Sequence, residues 1–201
     1  MPYDYSDAPP QRELIPANTV ATCCLHIQGG GAGEGGMLKL SRDGHCAMLS
    51  LEITLLDGEF AKRKLWENWI VEGVDHHAKA IEISRSRIKA VLDSALGLDP
   101  KDVSPQARAA RTKSYKELEG LNFLGKIGIE KGAPKNDGSG ENWPDKNILA
   151  AIITPDRREW HPVTQPPPFN GGGPATSGSG APSSSAPPTS TPPITRPGWA
   201  S

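Results

Sequence analysis

Three consecutive cations, Lys62, Arg63 and Lys64, are followed at once by Trp66 and Trp69. Positive charge interleaved with large flat rings is the chemistry of a surface that holds single-stranded nucleic acid, since phosphates meet the cations while bases stack on the indoles. The same cations also suit a plainer role, because lysines on a sheet edge keep it from pairing with a second sheet. Trp66 and Trp69 are three apart, so a strand sends them to opposite faces, one to the core and one outward. Lys135, Trp143 and Lys146 repeat the pattern in a polar loop, and Lys39 and Arg42 stand beside another. These ten residues are the candidate nucleic-acid contacts.

Other chemistries lack their residues. No Ser/His/Asp, Cys/His or paired-carboxylate pattern occurs at a working spacing, so no enzyme is expected. Cys23, Cys24, His26, His45 and Cys46 have neither CxxC nor HxxxH spacing, and neither metal nor cofactor is expected. Three cysteines, two of them adjacent, do not form a secreted disulfide framework, and a reducing compartment fits them. The run GGGAGEGG at 29–36 lacks the Gly-Lys-Ser/Thr ending of a phosphate loop. Asp137, Ser139 and Glu141 echo a calcium loop without its sixth-position Gly or twelfth-position Glu.

The elements that must carry these residues follow from periodicity. Leu49, Leu51, Ile53 and Leu55 alternate with Ser50, Glu52 and Thr54, the signature of a half-buried strand. Asp57-Gly58 then turns the chain back through Lys64 to Val71, making a hairpin. A first strand spans 19–27, with Cys23 and Cys24 competing for the core face, and residues 37–40 allow a short strand continuation. After the hairpin, Asp75 is placed to cap a helix from about His76 to Leu96, which Gly97 ends. Ser104-Pro105 opens a short helix in the basic run 103–116, which is either a solvated face or a phosphate-contacting segment. Strands at 121–131 and 148–154 complete the set. The order, three strands, a helix, then two strands, is that of a five-stranded OB-like Greek-key barrel, mostly β with one main helix between strands 3 and 4. In such a barrel the face of strands 2 and 3 and the loops at 28–45 and 132–146 gather the candidate residues on one side.

Composition sets the boundaries. A flexible arm is expected at 1–16, the barrel at 17–161, and a disordered tail at 162–201, where Pro, Gly, Ser, Thr and Ala dominate and Arg196 is the only charged side chain. The barrel span holds equal numbers of cationic and acidic side chains, so binding to a polyanion rests on local patches and weakens with salt. No apolar run reaches the roughly 20 residues of a membrane span, and MPYDYSDAPPQRE has no signal-peptide pattern, so a cytoplasmic protein without a membrane partner is expected.

LIPANTVA, LLDGEFAKRKLW, EISRSRIKAVLDSA and KGAPKNDGSGENWPDKN, together with Asp57, Gly58, Arg63, Leu65 and Asn147 in place, resemble a family of uncharacterised phage and prophage proteins encoded near replication and recombination genes. The resemblance covers Leu14 to His161. It implies an OB-like fold, single-stranded DNA as partner, and phage replication or recombination proteins in a bacterial host cell as company. Bacterial single-strand-binding proteins usually end in an acidic tip that recruits partners, whereas this chain ends ITRPGWAS. The alternative is a non-catalytic adaptor that tethers a protein partner through the Pro-rich tail, with Trp199 as anchor.

Overall fold

The computed structural model describes residues 13–136 and 140–166. The expected tail from Pro167 on, Tyr3, Tyr5, Trp199, and Asp137 and Ser139 of the calcium-like pattern lie outside the described residues. Six strands run in chain order: β1 (Val20–Gln28), β2 (Lys39–Leu40), β3 (Cys46–Leu55), β4 (Lys64–Gly73), β5 (Asn122–Glu130) and β6 (Lys146–Ile153). One main helix, α1 (Ala78–Leu96), and a short one, α2 (Pro105–Arg111), separate β4 from β5. All pairings are antiparallel, in the order β4-β3-β1-β5-β6, with β2 beside β3.

Five strands were expected and six are present, because Lys39 and Leu40 pair with Met48 and Ala47 as a separate short strand rather than extending β1. The sheet is open: among the described residues no ladder joins β4 to β6. Side chains span that gap instead. Glu67 on β4 accepts from the backbone N–H of Leu149 on β6 at 2.8 Å, from Trp69 Nε1 at 2.7 Å and from Arg87 of α1 at 2.6 Å.

Alternation decides the core. Leu49, Leu51, Ile53 and Leu55 on β3, Leu65, Trp69 and Val71 on β4, and Ala21, Cys23 and Leu25 on β1 are all buried, while α1 adds Val91, Leu92 and Ala95. Cys23 therefore takes the inward position, yet Cys24 is buried as well. Burial pushes the Cys23 thiol up to about 12, with the nearby Asp57 carboxylate adding to the shift, and burial raises Cys24 too. Thiolate is the reactive form, so the native protein is expected to leave Cys23 and Cys24 unlabelled by a maleimide at neutral pH, with labelling on denaturation. Rapid native labelling of either, read by mass spectrometry, would contradict this packing.

The hairpin turn is longer than Asp57-Gly58 alone. The chain closes it with Lys62 N–H donating to Leu55 O at 2.7 Å, and both Gly58 and Lys62 have positive φ, 72° and 69°. Asp57 ties the turn to β1: its carboxylate accepts from the backbone N–H of Thr22 at 3.0 Å and from the Thr22 hydroxyl at 2.5 Å.

Asp75 does not cap α1. It opens a 3-10 turn, Asp75–His77, and α1 starts three residues later with no side-chain cap. Gly97 does end the helix, at φ 68°, and Ser104 Oγ caps α2 by accepting from Ala107 N–H at 3.2 Å. The basic run has a structural role. Arg111 Nε donates to Asp93 at 2.6 Å and its other nitrogens reach the carbonyls of Asp99 and Asp102. Asp93 is fully buried and also accepts from Lys89 at 2.7 Å. Arg108 donates to the Val103 carbonyl and Lys113 pairs with Glu117.

Both ends of the described chain pack inward. Ile15 is fully buried, and the Asn147 side chain brackets its backbone, Oδ1 accepting from Ile15 N–H and Nδ2 donating to Ile15 O, each at 2.8 Å. At the other end Gln165 bonds to both backbone groups of Asn122 and to Ala95 O, so ordered packing continues past His161.

Candidate nucleic-acid interface

Strand parity settles the tryptophans. On β4 the odd positions turn inward, so Trp69 is 4% exposed beneath Arg87, whose guanidinium lies 5.7 Å from the ring, while Trp66 turns outward and is 66% exposed. Trp69 presents no ring to a base, which corrects its place among the candidates: its indole fills the core because it shares a phase with Leu65 and Val71. The open face of β3 and β4 carries Trp66 beside Lys64 and Asn68, with Ser50, Glu52 and Thr54 directly across. β1 extends it, placing His26 opposite Glu52 and Gln28 opposite Ser50.

The cations stand as follows. Lys64 pairs with Glu52 at 2.6 Å, Lys146 with Glu130 at 2.9 Å, and Lys135 with Glu141 at 2.5 Å while lying 5.8 Å from the Trp143 ring centroid. Arg63 donates to the Glu13 carbonyl at 2.8 Å and so latches the N-terminal segment. Lys39, Arg42 and Lys62 are exposed and make no ion pair among the described residues. Exposed ion pairs contribute little and exchange readily, so Lys146, whose pair is exposed on both sides, remains able to meet a phosphate, whereas Lys64 is held by the largely covered Glu52 and Arg63 is engaged with backbone.

The register shows how far these groups converge. β5 runs past the start of β1, with Lys126 opposite Val20, so the loop after Glu130 leaves from the end of the sheet where β3 turns into β4. Lys135, Trp143 and Lys146 therefore belong with Lys62 and Lys64. Lys39 and Arg42 do not. Lys39 is paired with Met48 and Lys64 with Thr54, six residues along β3, which is about 20 Å. The expected gathering of both loops on one side is corrected: the first loop leaves from the far end of β1, because consecutive antiparallel strands put their connections at alternate ends. Lys39 still shares the outer face with Trp66, at the opposite end of one stripe.

The β5–β6 loop is itself ordered at its base. Backbone bonds join Lys135 to Glu141 and Trp143 to Ala133, each at 2.8 Å, and Asp145 accepts from Gly132 N–H and from Lys131. Gly132 is required here, since a Cβ on it would overlap the Trp143 carbonyl oxygen. Trp143 is held 60% exposed.

Asn68, Ser50 and Gln28 were not among the candidates, yet they line the middle of the stripe. For Ser50 the polar phase of the β3 alternation was the available signal, while Gln28 on β1 and Asn68 on β4 join it only through the strand register. Among the described residues no cluster of His, Cys, Asp or Glu is arranged to hold a metal, and no helix is long and apolar enough to cross a membrane. Neither a family, nor a curated protein, nor a solved structure matches the chain.

Proposed function

We propose that this is a non-catalytic single-stranded DNA-binding protein, of the kind that coats or delivers a strand during phage or prophage replication or recombination in the bacterial cytoplasm. The observation that carries the reading is Trp66, a large ring left 66% exposed on a two-stranded ribbon with Lys64 and Asn68 on either side. The strand order of the open sheet is compatible with an OB-like arrangement, which is part of the same proposal. Numbered among the five long strands, the sheet order is 3-2-1-4-5, in which the fourth returns beside the first as in a Greek key. The main helix falls between the third and fourth, and an OB barrel is itself partly open, as the seam bridged by Glu67 would be. Trp143 with Lys135 supplies a second ring and cation at the same end.

The test is titration of a fluorescent mixed-sequence strand of about 16 nucleotides at about 50 mM and about 200 mM salt. Binding that weakens with salt and quenches tryptophan is expected. Trp66→Ala is expected to cost about 1–3 kcal/mol of binding while leaving the unfolding midpoint unchanged, since the ring touches solvent rather than core. Equal affinity in the variant would remove the stacking role. The pairing of Lys64, Lys135 and Lys146 with carboxylates favours a second reading, an adaptor whose neutral face meets a protein; absence of binding at low salt leaves that one standing.

A further inference from the structure

We propose that Glu52 reads the base stacked on Trp66 and makes this position selective for guanine. The inference rests on the single-strand reading above and specifies its ligand. Glu52 lies directly across the ladder from Trp66 on the outer face, where paired Cβ atoms are about 5 Å apart, so a base on the indole has its edge at the carboxylate. The carboxylate is held in place from two sides: Lys64 Nζ sits 2.6 Å from Oε1 and Gln28 Nε2 donates to Oε2 at 3.2 Å. Each oxygen carries a second lone pair, Thr54 also bonds to the carboxylate, and the 16% of the side chain left exposed is the part a base edge would meet. The Lys64 hydrogen bond also keeps the Glu52 carboxyl below its ordinary range, and at neutral pH it is ionised and accepts only.

That chemistry sorts the bases. Guanine presents N1–H and N2–H side by side on its Watson–Crick edge, two donors for two carboxylate oxygens, and recognition of unstacked bases on that edge is how single strands are read. Thymine offers one N–H flanked by two carbonyl oxygens, which face the carboxylate with like partial charge. Cytosine and adenine present a single amino group. His26, across from Glu52 on β1, is engaged with Glu119 at 2.9 Å and leaves the carboxylate to the ligand.

The experiment compares a short all-thymine strand with one carrying a single central guanine, against the full chain and two variants. About tenfold tighter binding of the guanine strand is expected, the order of a good bidentate base contact. Glu52→Gln, which keeps the shape but replaces one acceptor by a donor, is expected to bring the two strands within about twofold while freeing Lys64 for phosphate. Trp66→Ala is expected to weaken both strands. Equal binding of the two strands by the wild-type chain, or a preference that survives Glu52→Gln, would overturn base reading and leave strand binding intact. Failure of either strand to bind at low salt would overturn the strand reading and this inference with it.

Discussion

Asp93→Ala is expected to destabilise the fold by about 3–5 kcal/mol, the largest single effect among polar positions, read as a lower urea midpoint with an unchanged slope. The carboxylate is fully buried between Lys89 and Arg111, and the Arg111 guanidinium also holds the carbonyls of Asp99 and Asp102. Removing the acid leaves a largely buried guanidinium without its counter-charge, a cost that exceeds the net worth of the pair. Arg111→Ala leaves the buried carboxylate with Lys89 as its remaining cation, so its cost is expected to be smaller than that of Asp93→Ala. Because Arg111 sits in the basic run that the sequence offered as a phosphate contact, the pair of variants also separates two roles. A folded Arg111→Ala protein with a normal midpoint and weak DNA binding would show that the run meets phosphate after all.

Ile15→Ala comes next, at about 2–5 kcal/mol. Its side chain is fully buried, and its backbone is fixed by both atoms of the Asn147 amide, which also reaches Gly128 O at 3.2 Å. Arg63 holds the preceding Glu13. This segment thus links the start of β4 to the start of β6, the two strands that no ladder joins. Loss of the Ile15 side chain is expected to loosen that seam, raising amide exchange at the start of β6 more than in β3. Leu14, 37% exposed beside it, serves as the control, and Leu14→Ala is expected within about 0.5 kcal/mol of wild type. Similar midpoints for the two variants would mean that the N-terminal segment is not part of the core.

The alternation in β3 and its continuation into β4 named the strands, the core phase and the hairpin, because period-two patterning is a property of adjacent residues and survives in any sheet. Gly97 and Ser104-Pro105 marked helix ends for the same reason: a left-handed residue and a cap act within one turn. Glu67 departs from that alternation: it is a charged residue in the apolar phase of β4, and only the approach of Leu149, Trp69 and Arg87 explains it. Asp75 was misleading as a cap, since a 3-10 turn shifted the helix start.

By itself the sequence determined the strand and helix types, the stretch with rings among cations, and the near balance of charge over the folded span. The tertiary structure decided which tryptophan faces water, that Arg63 and Arg111 hold the chain together rather than face outward, and that Lys39 and Lys64 lie at opposite ends of one stripe. The physical reason is range. Periodicity and capping are set by neighbours a few residues apart, whereas the partner of a long charged side chain is whatever the fold brings within about 3 Å of it, and no local pattern records that distance.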